Sequence, residues 1–317
     1  MKKLLNILWI ILIALILSAV IMIVNGIPYG KYVESFSDFA TILFSTVTII
    51  LVIISLLKQS IVNLKGKAEN HFFNMLNYHS ANVRSLRIKH IKKTKSKNKV
   101  EGRRAFVVFS MQLIRLLEVV EIINTDLELN LTKNEIIDIA YIAFYYGIDD
   151  EQQERSINKL SMYNKPEEIT RKLIDYKNKL KKEEKINIGR TNQTSLSSYF
   201  RNIFNTIKFI DKSTILSEKE KHKYIKIYRA QFSNPELVVL FFNIVSRFGL
   251  KWKYNDFILN YEIIKNIPFD YCGNYHTNDF FIMKYEEDEL KTQLTKKTFF
   301  TTISQYIKKI CKCFHSL

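Results

Sequence analysis

Three cysteines, Cys272, Cys311 and Cys313, and six histidines hold most of what this chain could offer a metal ion. Cys311-x-Cys313-x-His315, with Cys272 and His276 four residues apart, can be drawn as a zinc site of thiolates and imidazoles. A Cys-x-Cys step is not among the usual structural zinc spacings, so no metal and no cofactor is expected. In a reducing cytosol the thiols are not expected to pair. Cys311 or Cys313 would be a palmitoylation site only if that end lies on a membrane. The sequence has no glycine loop running into Lys-Ser or Lys-Thr, no His-Glu-x-x-His and no serine nucleophile elbow, which removes the common phosphate-binding, metallopeptidase and hydrolase signatures. The chain reads more as a binding or membrane-acting protein than as an enzyme.

One Arg–His pair stands apart. In ANVRSLRIKH, Arg84 and His90 have a spacing that resembles the Arg and His of HEPN-type ribonucleases. There the two groups on one helix face would stabilise and protonate the cleaved phosphate ester. The polar residue that usually follows the Arg is only Ser85 here, and 11 Arg with six His supply such a spacing readily by chance. Otherwise His79 and His90 are ordinary core-edge or surface residues.

The elements that would position any such group begin with two apolar runs. Leu4 to Val24 carries no charge and only Asn6 and Ser18 as polar breaks, matching the roughly 20 residues that cross hydrocarbon. Phe39 to Leu57 is again uncharged, and its Ser and Thr hydroxyls can return to the helix backbone. A signal peptide fits the first run poorly, because it is too long and leads into NGIPYGKY without a small-residue cleavage site. Lys2 and Lys3 before the first run, and Lys58, Lys65 and Lys67 after the second, predict that both termini face the cytosol. Asn25-Gly26 and Pro28 supply turn chemistry between them. Residues 1–57 thus read as a two-helix transmembrane hairpin, multi-pass in a membrane.

Setting the hairpin aside takes Lys2, Lys3, Lys31, Glu34 and Asp38 with it, so the formal charge of +17 falls only to +16 on the remainder. Such a domain would attract anionic lipid or nucleic acid. The chain is also rich in Lys, Asn and Ile together, as AT-rich genomes encode, which explains part of the excess without a partner. Residues 88–104, IKHIKKTKSKNKVEGRR, hold eight Lys or Arg, among them Lys92, Lys93 and Lys95, against the single acid Glu101. Helical periodicity disappears there, and the segment reads as a loop lying on lipid headgroups or as a solvated connector.

Elsewhere glycine is scarce and helical spacing prevails, so the cytosolic domain is expected to be all-α. Phe72, Leu76, His79, Val83 and Leu86 fall on one stripe of a helix continuing from the second span. Phe106, Phe109, Leu113, Leu116, Leu117 and Val120 form a core-facing stripe of the next. Thr132 and Glu135 form a capping box for a helix that stops at Gly147. A highly charged helix from Pro166 to about Lys185 is expected to stand away from the core, with INIGRTNQTSLSS after it as a linker. Ser217 and Glu220 form a second capping box, Asn234 as N-cap and Pro235 as first-turn proline open the helix ELVVLFFNIVSRF, and another helix lies near Asp256 to Asn266. Residues 58–268 form the helical domain, with a charged insert at about 150–195. Residues 269–317 read as a tail whose end is basic and amphipathic.

HFFNMLNYHSANVRSL, EGRRAF, SYFRNIFNTIKFID and YIKIYRAQFSNPELVVLFFNIVSRFG together resemble the phage abortive infection family described as AbiC-like, over about residues 60–268. The most specific piece is YRAQFSNPELVVLFFN, and the residues matched to the family motif are Phe72, Phe73, His79, Tyr228, Arg229, Gln231, Ser233, Glu236 and Asn243. The resemblance implies a two-span anchor before a helical cytosolic domain in the bacterial inner membrane. It further implies an effector that arrests or kills an infected cell, with inner-membrane lipids, a phage component or nucleic acid trigger and further copies of itself as partners. Ser45, Thr46, Thr48 and Ser55 would then line or glue a bundle of hairpins, or simply pack within the span. A tethered HEPN-like ribonuclease, or a non-catalytic scaffold binding nucleic acid or lipid, is the alternative.

Overall fold

The structure, a computed structural model, describes residues 2–24, 33–89, 99–148, 153–183, 187–265 and 267–281. Two compact units are present, the first holding residues 1–74 with 213–217 and the second 75–212 with 218 onward.

The first unit is built on α1 (Lys2–Val24) and the larger part of α2 (Val33–Ser85). Among the described residues, α2 alone carries a stretch long and apolar enough to cross a membrane, and nearly all of it is exposed. Ile42, Phe44, Ile49 and Leu56 each show 60% or more of their surface. The described apolar stretch of α1 is Leu4–Ser18, shorter than a span. Of the two expected spans, α2 alone meets the length and composition of one among the described residues. Three hydroxyls of α2 return to their own backbone: Ser45 donates to the Thr41 carbonyl at 2.7 Å, Thr46 to Ile42 and Thr48 to Phe44 at 2.8 Å each. That local bond leaves a polar side chain satisfied in an apolar medium. Trp9 of α1 lies under the ammonium of Lys58, 5.1 Å from ring centre to nitrogen.

Among its described residues the second unit is helical apart from one short ribbon. After α2 ends at Ser85, β1 (Arg87–Lys89) pairs antiparallel with β2 (Lys99–Glu101), Ile88 opposite Val100. The expectation of an unstructured segment over 88–104 therefore gives way at both ends to a ribbon, and a turn at Gly102, whose φ is +61°, follows its second strand. Lys92, Lys93 and Lys95 lie outside the described residues.

α3 (Arg104–Asp126) is the central helix, packed by α4 (Lys133–Tyr146), α6 (Pro166–Glu183) and α9 (Asn234–Val245). All six positions of its expected stripe, Phe106 to Val120, are buried. α4 opens with the capping box read from sequence: the Glu135 carboxylate accepts from the Thr132 backbone N–H at 2.8 Å, and the Thr132 hydroxyl accepts from the Glu135 N–H. Its residues from Ile136 to Phe144 are all buried, which forces Asp138 to find a counterion inside the fold. Arg247 supplies it, donating from Nε at 2.7 Å and from its backbone N–H at 2.8 Å, while the Tyr163 hydroxyl donates at 2.6 Å.

α5 (Gln153–Leu160) and α6 correct the expectation of a charged segment standing apart. Ile169, Thr170, Leu173, Lys177 and Leu180 of α6 are buried, one apolar stripe hidden within a run dominated by Lys and Glu. The stretch expected to be a linker is also seated in the fold. Ile148 donates its N–H to Gly189, Asn192 donates its own to Tyr145, and the Asn192 side chain donates to Phe144. A Cβ on Gly147, whose φ is +85°, would sit 2.8 Å from the Thr191 nitrogen, so only glycine lets these strands of backbone approach.

α7 (Gln193–Lys212) and α8 (Glu218–Arg229) pack on one another. After α9 the chain forms a single tight turn at Arg247–Gly249, then α10 (Leu250–Tyr254) and α11 (Phe257–Tyr261). Left-handed residues Asp256 and Glu262 bracket α11, so the helix expected to reach Asn266 is cut to five residues. The folded region continues past residue 268: Cys272 and Tyr275 are buried, and the Tyr275 hydroxyl donates to Glu121 at 2.6 Å. The amphipathic tail expected from about Phe299 lies outside the described residues.

Candidate functional site

The helix-opening chemistry of α9 builds the site. Ser233, not Asn234, caps the helix, because Glu236 three residues on reaches back to it: one Glu236 oxygen accepts from the Ser233 N–H at 2.8 Å and from its hydroxyl at 2.6 Å. In most capping boxes the acid stays in water. Here Glu236 is fully buried.

Burying a carboxylate requires a counterion. Arg103 provides it from the turn before α3, its Nε lying 3.2 Å from the same Glu236 oxygen while its terminal nitrogen donates to the Gln231 carbonyl at 2.8 Å. Arg103 is itself 58% exposed, so it forms the outer wall of the cluster. The second Glu236 oxygen faces inward, 3.7 Å from His79 Nε2, and has no hydrogen bond.

His79, on the C-terminal turns of α2, is 1% exposed and neither ring nitrogen has a hydrogen-bond partner. Aromatic rings enclose it: Phe232 at 4.9 Å and Tyr228 at 5.5 Å approach edge-on, and Tyr199 lies tilted at 5.4 Å. Burial first, and the nearby Arg103 charge second, push its pKa down to about 4. The imidazole is therefore neutral at physiological pH, and its approach to Glu236 is not an ion pair. Burial raises the Glu236 pKa, with the Ser233 bonds and Arg103 opposing that rise. Burial likewise raises both tyrosine hydroxyls, further helped by the Glu236 charge.

Chemically this is a closed arrangement. A neutral imidazole walled by three aromatics cannot reach a substrate, and the route from solvent to Glu236 runs along Arg103. The cluster thus holds one buried carboxylate against one partly exposed guanidinium.

Of the residues matched to the abortive-infection motif, His79, Tyr228, Ser233 and Glu236 come together here. Gln231 contributes its carbonyl. Arg229 points elsewhere, donating to the Glu262 carbonyl at 3.1 Å. Asn243, two turns along α9, donates to the Tyr141 hydroxyl at 2.8 Å in the core. Phe72 is buried and Phe73 half-exposed on α2 in the first unit. Arg103, Tyr199 and Phe232 were not singled out from sequence, although each lies in one of the segments that carry the resemblance.

Arg84 sits on the last turn of α2, which ends at Ser85 before the chain enters β1 at Arg87. Arg84 is exposed and donates to the Ser80 carbonyl of its own helix, and His90 lies outside the described residues. No group of three or more His, Cys, Asp or Glu side chains that could hold a metal exists among the described residues. Cys272 is buried, and its pKa is pushed up to about 12 by that burial, so its thiol stays protonated.

The fold and the cluster define a helical protein that carries an exposed helix of membrane-crossing length. Residues 191–272, from two residues before α7 through Cys272, match the family described as "Putative phage abortive infection protein". That stretch contains Tyr199, Tyr228, Ser233, Glu236 and Asn243, so the abortive-infection resemblance is supported where the motif is densest. No curated protein and no solved structure matches the chain.

Proposed function

We propose that this protein is a membrane-anchored antiphage effector of the abortive-infection type, sensing infection through its helical unit and perturbing the inner membrane through its N-terminal helices. The observation that carries this reading is α2. One helix holds an exposed apolar stretch of spanning length and, on its last turns, His79 seated among residues of the abortive-infection motif. A change at the cluster therefore has a covalent route to the apolar segment.

α1 as a second span, with both termini cytosolic, follows from Lys2 and Lys3 before it and Lys58, Lys65 and Lys67 on α2. The Trp9–Lys58 contact supports that topology, since it pairs the start of α1 with the end of the apolar stretch of α2. Trp and Lys both favour the membrane–water boundary. Assembly of several hairpins would then require hydroxyls such as Ser45 and Thr48 to exchange their intrahelical bonds for bonds between copies.

The direct test is a potential-sensitive dye in infected cells with and without the protein. Depolarisation that depends on the protein is expected, and its absence in protected cells refutes membrane perturbation. Replacing residues 1–57 by a soluble oligomerising tag is expected to abolish protection; undiminished protection would sink the anchor's role.

A further inference from the structure

A second feature of the helical unit lies outside the buried cluster. A cleft of about 670 Å³ opens between α7 and the corner formed by α9 and α10. Its walls include three half-buried rings, Tyr145, Phe204 and Phe248, and three exposed cations, Arg201, Lys208 and Lys251. No acidic residue lines it.

We propose that this cleft binds nucleotide units, stacking bases on its aromatic wall and holding phosphates on its cationic rim. Arg201, Asn205 and Lys208 follow one another at helical spacing on α7, making a polar row about 10 Å long beside the rings. Lys251 faces that row from α10. None of the three cations is engaged by a carboxylate among the described residues; Arg201 only donates its Nε to the Ser197 carbonyl at 3.2 Å. The rings are held in place rather than free to collapse inward. Tyr145 packs on Phe248 at 5.0 Å, and Phe204 on Trp252 at 5.4 Å. Fixed rings next to unpaired cations are the composition of a stacking platform with a phosphate track, and every base offers a face to it. The volume suits a small ligand. A purely phosphate-binding surface would not need the rings, and an apolar peptide groove would not need three cations without a single acid.

The inference goes beyond the effector reading and is read by binding alone, so either can fail while the other stands. The full chain in neutral-lipid nanodiscs is titrated against a fluorescein-labelled ten-residue oligouridylate by anisotropy. Three phosphate contacts predict a slope of about −2 in log affinity against log salt, or roughly twentyfold weaker binding from 50 to 200 mM salt. Combining Arg201→Glu, Lys208→Glu and Lys251→Glu, all at exposed positions, is expected to weaken binding at least tenfold and flatten that slope. Tyr145→Leu, which keeps the apolar volume, is expected to cost about fivefold or more with the slope unchanged.

Competition by AMP as effective per site as the oligonucleotide assigns the cleft to a free nucleotide; competition only by the strand assigns it to single-stranded nucleic acid. Either result supports the site. Unchanged binding in the triple variant, or displacement by inorganic polyphosphate with Tyr145→Leu inert, overturns it. So does a triple variant that keeps oligonucleotide affinity but loses phosphatidylglycerol vesicles, since that outcome makes the rim a lipid contact.

Discussion

Replacing His79 by leucine removes the one group in the buried cluster that resists protonation. In the folded state its pKa is about 4, against about 6.5 for an unrestrained histidine. Because the folded value lies below the unfolded one, the neutral form contributes stability that is complete above pH 6.5 and is lost as the pH falls towards 4. The difference of about 2.5 units at 1.36 kcal/mol each amounts to roughly 3 kcal/mol of pH-dependent stability from this residue. Glu236 works the other way, since its raised pKa favours the protonated form as pH falls. It remains in the variant, so the comparison isolates His79. At pH 7.4 His79→Leu gives up contacts with three rings, about 0.5–1.5 kcal/mol each, and removes two buried nitrogens that have no hydrogen-bond partner, which offsets part of that cost. The variant is expected to be modestly less stable at pH 7.4. At pH 4 the balance shifts in its favour by about 3 kcal/mol, or roughly 6–12 °C in relative melting temperature for a unit of this size. Thermal unfolding of detergent-solubilised protein across that range, followed by far-ultraviolet circular dichroism, measures the difference. A gap between the two proteins that stays constant within about 1 kcal/mol would refute the buried, neutral imidazole.

Four further substitutions test other parts of the structure. Arg247→Ala leaves the buried Asp138 without its counterion and is expected to cost about 3 kcal/mol in denaturant unfolding, whereas a loss under about 1 kcal/mol would contradict the network. Gly147→Ala must adopt a φ of +85° with its Cβ against the Thr191 backbone, and is expected to lose at least about 2 kcal/mol. Gly66→Ala on α2, with nothing within 4 Å of the new methyl, is the control and is expected to gain up to about 1 kcal/mol. Ile49→Lys places a charge in the exposed apolar stretch of α2, worth about 3 kcal/mol against insertion; a clear shift towards the alkaline-extractable fraction is expected, and unchanged extraction would argue against α2 as anchor.

The helices were legible wherever one face alternated cleanly with a polar one. Phe106 to Val120 announces α3, and Thr132 with Glu135 announces the start of α4, because both signals are local. The burial of α6 is not legible in sequence, because its stripe of Ile169, Leu173 and Leu180 is diluted by Lys and Glu. Ile188 and Asn192 read as part of a linker because Gly, Asn, Thr and Ser surround them, although hydrogen bonds to residues 144–148 hold that stretch in place. The short ribbon at Arg87–Lys89 escaped notice since its partner strand lies beyond a basic segment with no periodicity. At the site, the motif segments named the right stretches of chain but not their meeting. Glu236 looked like an ordinary N-terminal acid of a helix, and nothing local says that it is buried or that Arg103 reaches it. The cleft was hidden in the same way, as Arg201 and Lys208 alternate with the buried face of α7 and read as routine surface charge.

Arg103 and the Gln231 carbonyl it holds are 128 residues apart in the chain. At roughly 5–20 residues per second of synthesis, that separation is about 6–25 s during which Arg103 and His79 have left the ribosome but their partners have not. α1 and the apolar stretch of α2 come earlier still. Every molecule of this protein thus passes through a stage in which the apolar helices exist and the cluster does not. If the apolar helices act on the membrane as proposed, acting at that stage would harm the cell at every round of translation, so on that reading the unassembled helices are inert and activity is gained by the finished fold.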